Sequence, residues 1–333
     1  MITSANGRTA LVFGISGQDG AYLAQSLLQK GYRVVGSSRS ANASNLVALG
    51  IQDQVELICV DVSDAPAVAR AIQDAAPQEI YNLAGQSSVG LSFEQPVETM
   101  ASTSGGVLNI LQAIRHIDPV IRFFSAGSSE CFGDTHGTAA DEETPFRPNS
   151  PYAIGKAAAY WHVATYRQAY GLFACTGILF NHESPLRPER FVTQKIVRTA
   201  CRIAAGSGEQ LELGNIDIAR DWGWAPEYVE AMWLMLQQAQ ANDLVIATGE
   251  THSLADFVDQ VFNAVGLDWQ AHVKCSPALM RPTDMRASVA NPSRAERLIG
   301  WKAQTSLLDV ASRMVQAEQK RVAGGTLFTE QGS

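Results

Sequence analysis

The sequence predicts an α/β protein built on a doubly wound parallel sheet, and three observations carry that prediction. Short β-rich runs alternate with longer helical patterns over the first 180 residues. The first run, Ala10-Leu11-Val12-Phe13, is apolar without interruption, as suits a strand buried on both faces. A glycine-rich turn from Gly14 to Gly20 follows it directly and opens a helical pattern. Parallel strands joined by right-handed crossovers present their binding sites at the carboxyl ends of the strands.

The elements follow in order. Tyr22, Leu23, Leu27 and Leu28 recur at helical spacing. Tyr32 to Ser37 is the second strand, and Val55 to Val60 the third, ending at Asp61. Ala65 to Ala76 reads as a helix that Pro77 cannot continue. Ile80 to Leu83, Ile121 to Ala126 and Cys175 to Phe180 supply strands four, five and six. After Phe180 the rhythm breaks. Loops rich in Pro and Arg, Glu183 to Arg190 and Ser276 to Arg286, flank helical stretches such as Val192 to Ala205. Asp243 to Thr248 reads as one more strand returning to the main sheet. The expected division puts 1–180, with about 222–249 and 288–318, in the sheet domain. A smaller, discontinuous α/β layer of about 181–221 and 250–287, with the C-terminal tail, lies over the strand ends.

Composition narrows the function classes. With 46% hydrophobic and 17% charged residues in 333, the chain has enough apolar material for a large core. A net charge of −8 disfavours general binding of nucleic acid or anionic membranes, so an anionic ligand needs a local basic pocket. No apolar run reaches about 18 residues, so no membrane span is expected. The segment Met1 to Arg8 lacks the pattern of a secretory signal. Five scattered cysteines without CxxC spacing suit free thiols in a reducing cytoplasm, and no Cys/His cluster suggests a metal.

The turn reads Gly14-Ile15-Ser16-Gly17-Gln18-Asp19-Gly20. Its glycines allow backbone to approach a pyrophosphate, whose charge then meets a helix N-terminus. The acidic residue that would bind a ribose 2′-hydroxyl after strand two is absent. Ser37-Ser38-Arg39-Ser40 stands there instead, which suits a 2′-phosphate and favours NADP over NAD. Asp61 and Val62 are expected to border the adenine, and Ala84, Gly85, Gln86, Ser87 and Ser88 to pass near the phosphates and nicotinamide.

Ser128 and Glu130 follow strand five, and Tyr152 and Lys156 come 24 and 28 residues after Ser128. Tyr152 and Lys156 share a helix face. An ammonium beside a phenol is expected to lower its pKa, so that Tyr152 can take a proton from a sugar hydroxyl. Ser128 can hydrogen-bond the same hydroxyl. Glu130 is extra to what alcohol oxidation needs, and a carboxylate there can take an acidic C–H proton beside a ketone.

The blocks GISGQDGAYLAQSLLQKGY, YNLAGQSSV, SSECFG, SPYAIGK, GILFNHESP, FVTQKI, LGNIDIARDWG and VIATG resemble, in that order, the GDP-mannose 4,6-dehydratases, members of the extended short-chain dehydrogenase/reductases. The resemblance implies a Rossmann-type sheet, NADP, a GDP-sugar substrate and a homodimer or homotetramer. It implies C4 oxidation begun by Tyr152, removal of the C5 proton by Glu130, loss of water from C6 and return of the hydride. It implies that His182 and Arg187 lie near the cofactor. Asn181, Lys195, Arg220 and Arg281 would grip GDP, with Asn215 and Asp284 nearby. Ser128 stands where threonine is usual, only Arg39 stands where the family often has paired arginines, and Ser88 and Glu189-Arg190 also depart from its pattern. Smaller groups beside the hexose keep GDP-manno-heptose as an alternative substrate. A GDP-4-keto-sugar reductase or C4 epimerase and a non-catalytic dinucleotide sensor are the other readings, and Glu130 and the intact Ser128, Tyr152 and Lys156 argue against these.

Overall fold

Thr9–Phe13 forms strand β1, inside a seven-stranded sheet, and its alternation sends Ala10 and Val12 into one apolar layer and Leu11 and Phe13 into the other. The computed structural model describes residues 7–39, 43–280 and 285–324. Strands β2 (Arg33–Ser38), β3 (Glu56–Cys59), β4 (Glu79–Asn82), β5 (Arg122–Ala126), β6 (Ala174–Leu179) and β7 (Leu244–Ile246) complete the sheet. The order is β7-β6-β5-β4-β1-β2-β3, with every neighbouring pair parallel. The order reverses between β1 and β4, the switch point at which such sheets open a crevice.

Helices cover both faces. On one, α1 (Gln18–Gln29) packs with Leu23 and Leu27 against Val229 and Met232 of a later helix, Ala225–Leu236. On the other lie α2 (Ala65–Ala75), α3 (Gly106–Ile117) and α4 (Pro151–Tyr170), which bury Val68, Ile72, Ile110, Leu111, Ile114 and Val163. Ser150 starts α4 by accepting the Ala153 N–H at 3.1 Å, Pro151 pre-sets the first turn, and Gly171 ends it at φ 68°. Tyr152 is thereby fixed in the first turn and Lys156 one turn further on.

A second core lies beyond Phe180. Helices α5 (Val192–Ala204), α7 (Leu254–Ala264) and α8 (Leu307–Val322) build it, with α6 (Ala225–Leu236) at its border. Ile196, Val197, Phe257, Val258, Phe262, Val310 and Met314 from α5, α7 and α8 are buried together. The expected division placed 288–318 with the sheet. Helix α8 departs from it, because Leu307, Val310, Ala311, Met314 and Val315 turn their apolar stripe onto α5 and α7. No helix among the described residues is long and apolar enough to cross a membrane. All five cysteines are free, and no group of three potential metal ligands forms among the described residues.

Candidate active site

The glycine turn brings backbone against backbone. Gly14 has φ 85°, and a Cβ there would stand 2.7 Å from the Ala84 nitrogen. A Cβ on Gly20 would meet the Gly14 carbonyl oxygen at 2.4 Å, so α1 starts hard against the turn. A cleft of about 330 Å³ runs along it, lined by Gly14, Ser16, Gly17, Gln18, Asp19, Gly20, Ser38, Arg39, Asp61, Val62, Ala84, Gly85 and Ser87. Arg39 is 62% exposed and its Nη1 lies 3.3 Å from Glu98 Oε1. The Ser63 N–H, the Ser63 hydroxyl and the charge of Arg39 together lower the Asp61 pKa, against a smaller opposing effect of burial.

A second cleft of about 390 Å³ shares Asp19, Ala84, Gly85, Ser87, Arg187, Arg190 and Phe191 with the first. Its lining brings together Gln86, Ser87, Ser88, Ser128, Glu130, Tyr152, Lys156, Asn181, His182, Lys195 and Arg220. These residues come from the ends of β4, β5 and β6, from α4 and from the segment beyond Phe180, so sheet topology converges what sequence separates. Ser128 caps a short turn, Ser129–Phe132, and its Oγ accepts the Glu130 N–H at 3.3 Å. That hydrogen bond fixes the peptide that carries the carboxylate.

The expected ammonium–phenol coupling needs correction. Lys156 Nζ donates to the Ala126 carbonyl at 2.7 Å and lies 5.9 Å from the centre of the Tyr152 ring. Burial pushes the Tyr152 pKa up, and the hydrogen bond with Ser128 offsets only part of that. Burial also lowers the Lys156 ammonium to about 8, although Cys131 and Asp19 pull it the other way. Desolvation, which favours the neutral form of each group, dominates at both.

Other expected residues divide. Arg220 is buried, and its Nη1 donates to the carbonyls of Ala219 and Met285 at 2.9 Å each. Lys195 Nζ donates to the Glu212 carbonyl at 2.6 Å. Asn215 is not brought in. It is exposed, and its Oδ1 accepts the Asp217 N–H at 2.9 Å, which closes an Asx turn. Arg281 and Asp284 lie outside the described residues.

The sequence reading passed over Glu183, Thr193, Arg190 and Phe191 as site residues. Glu183 is 1% exposed, accepts the Thr193 hydroxyl at 2.6 Å and lies 3.3 Å from Arg187 Nε. Arg187 and Arg190 both lie over the Phe191 ring, 4.0 and 5.0 Å from its centre. The signal for these was the density of cations between Arg187 and Lys195. Which of them face the cleft depends on a strand, Asn181–Glu183, paired in parallel with Trp222–Trp224, and that pairing is not a local pattern.

The GDP-mannose 4,6 dehydratase family model matches residues 11–314. The chain belongs to the GDP-mannose 4,6-dehydratase family. Family membership makes it a hydro-lyase on the extended short-chain dehydrogenase/reductase fold. It is 44% identical over 324 residues to GDP-mannose 4,6 dehydratase 1 of Arabidopsis thaliana, covering 93% of this chain and 90% of that one. It is 41% identical to the GDP-mannose 4,6-dehydratase of Sinorhizobium fredii, over 95% and 98% of the two chains. Among solved structures, the UDP-glucose 4-epimerase of Thermus thermophilus in complex with NAD superposes with a TM-score of 0.83 at 26% identity, over 95% of this chain and 99% of that one.

Proposed function

We propose that the chain is an NADP-dependent GDP-mannose 4,6-dehydratase, converting GDP-mannose to GDP-4-keto-6-deoxy-mannose. The observation that carries this reading is Glu130. It lines one cleft with Ser128, Tyr152 and Lys156, and a carboxylate there is needed for elimination and idle in simple reduction. The first cleft fits a dinucleotide because Gly14 and Gly20 let the turn close tightly on Ala84 and on itself while Gly17 leaves backbone exposed at the start of α1, and Ser38 and Arg39 stand at the end of β2 where a 2′-phosphate would be recognised. When bound, NADP supplies the hydride acceptor at C4 and the donor back to C6.

The chain's own groups do the rest. In its phenolate form Tyr152 Oη takes the proton of the C4 hydroxyl, which Ser128 Oγ orients. Lys156 holds Ala126 and the helix face beneath Tyr152. The Glu130 carboxylate removes the C5 proton, made acidic by the neighbouring C4 ketone, and hands a proton to the departing C6 hydroxyl, so that one water leaves. Asn181, Lys195 and Arg220 grip the GDP, to whose diphosphate arginine is suited by its bidentate fork, and Arg187 lies on the cofactor side. In this reading the sheet body carries the cofactor and the layer beyond Phe180 the sugar nucleotide. A homodimer or homotetramer, which the family resemblance supports, is part of the same proposal, and light scattering decides its size.

The test is mass spectrometry of the product from GDP-mannose, with absorbance of reduced cofactor followed in parallel. Loss of one water with no net accumulation of NADPH is expected. Stoichiometric NADPH with a keto-sugar that retains its water would overturn the reading.

A further inference from the structure

His182 lies between two groups that can only accept hydrogen bonds. Its Nδ1 is 2.7 Å from the Phe180 carbonyl oxygen, and its Nε2 is 2.9 Å from Asp19 Oδ2. Asp19 in turn accepts the Gln18 side-chain N–H at 2.9 Å on its other oxygen and stands in the first turn of α1, where the helix dipole favours a carboxylate. A neutral imidazole carries one N–H. It would leave a nitrogen lone pair facing either the carbonyl or the carboxylate. Two protons satisfy both contacts. The ring also stacks on Tyr228, centre to centre at 4.4 Å and tilted 25°, an arrangement that favours a cation.

The consequence concerns the glycine turn. Asp19 lines both clefts, at the start of α1 where an anion would bind. An uncompensated carboxylate there would repel a diphosphate. We propose that His182 is a doubly protonated strut that neutralises Asp19 and so makes the glycine turn able to hold the dinucleotide diphosphate, a positioning role that rests on the dinucleotide reading above. Gln18 completes the strut. Its Nε2 also donates to the His182 carbonyl at 3.1 Å, and its Oε1 accepts the Ser184 hydroxyl at 2.8 Å. Turn and strand are thus joined by charge and by hydrogen bonds.

Charged and titratable groups face the ring from several elements. Asp19 comes from α1, Arg187 from the loop after the strand, Tyr228 from α6, and Lys156 of α4 lies within electrostatic reach of Asp19. Glu183, next on the strand, is turned to Thr193 and Arg187. Burial and the charge of Arg187 oppose protonation of His182, but the charge and hydrogen bond of Asp19 outweigh them and raise its pKa. Burial likewise opposes ionisation of Asp19, and His182, Gln18 and Arg187 together bring it down to about 2.

The test is a double-mutant cycle read by calorimetric binding of NADP+, with nitrogen NMR of the wild-type ring beside it. His182→Gln keeps a hydrogen bond to Asp19 but removes the charge, and should weaken NADP+ binding roughly ten- to thirtyfold. Asp19→Asn should cost less than about threefold, and the double variant should bind within about threefold of Asp19→Asn alone, because the charge needing compensation has gone. Losses that add in the double variant, or a His182→Gln variant that binds like wild type, would overturn the proposal. In the NMR arm both ring nitrogens of His182 should be protonated at neutral pH, and a single-proton tautomer would overturn it whether or not the variants fold. Failure of the functional reading shows separately, as a wild-type chain that does not bind NADP+ at all.

Discussion

The two walls of the clefts are made of different material. The wall from the sheet is largely backbone, at Gly14, Gly17, Gly20, Ala84 and Gly85, where glycines let the turn pack backbone on backbone. The wall from beyond Phe180 is side chain, at Arg187, Arg190, Phe191, Lys195 and Arg220, each held by carbonyls, ring faces or a buried carboxylate. A backbone wall is set by a short local motif. A side-chain wall is only as precise as the core that supports it, here the separate cluster around Phe257. Chemistry and positioning should therefore be separable by mutation.

The largest separation is expected at the reacting groups. Tyr152→Phe should cut turnover by about 10³-fold while dinucleotide binding, measured by calorimetry, stays within about threefold. Glu130→Gln should abolish loss of water in the mass-spectrometric assay and leave slow C4 oxidation. A Glu130→Gln enzyme that dehydrates at the wild-type rate would assign the proton abstraction to another group.

A core variant tests the other wall. Phe257 is fully buried in the second core, so Phe257→Ala should cost about 3–5 kcal/mol of stability by chemical denaturation. It should raise the KM for the sugar nucleotide more than that for the dinucleotide. Equal effects on both would mean that the two walls share one support.

Legibility in the sequence follows the same division. The sheet strands, the glycine turn and the Ser128, Glu130, Tyr152, Lys156 set were readable because uninterrupted apolar runs and fixed short spacings encode them locally. The allegiance of α8 was not, since an amphipathic stripe does not name its partner. The Lys156 effect on Tyr152 was misjudged for a related reason. Spacing puts two groups on one helix face, but burial, which sequence does not show, sets their pKa values. Asn215, named from a family block, uses its Oδ1 to close a turn, which the block does not show.

Lys156 offers a smaller effect with a pH signature. Its ammonium is held at about 8, below the ordinary lysine value, so the protonated form destabilises the fold at neutral pH by up to about 3 kcal/mol. That cost is present in full below the folded-state pKa and fades as pH rises from 8 towards the unfolded value near 10.5. Lys156→Met should therefore gain most in melting temperature over wild type near pH 7, and the gain should shrink above pH 8. A pH-independent difference would mean that packing, not charge, separates the two proteins.

The smallest effect is expected at the cofactor's outer end. Arg39 and its partner Glu98 are 62% and 56% exposed, so their ion pair contributes little and the guanidinium can turn to a 2′-phosphate. Contact with a phosphate at such exposure is worth about 1 kcal/mol, or roughly fivefold in affinity. Arg39→Ala should weaken NADP+ binding by about that factor and leave NAD+ binding unchanged, whereas Glu98→Gln, which frees Arg39, should strengthen NADP+ slightly. Calorimetric titration of both dinucleotides on the three proteins checks this. If Arg39→Ala weakens both cofactors equally, the discrimination lies elsewhere, with Ser16 and Ser38, whose hydroxyls hydrogen-bond at 3.0 Å in the same cleft, the next residues to change.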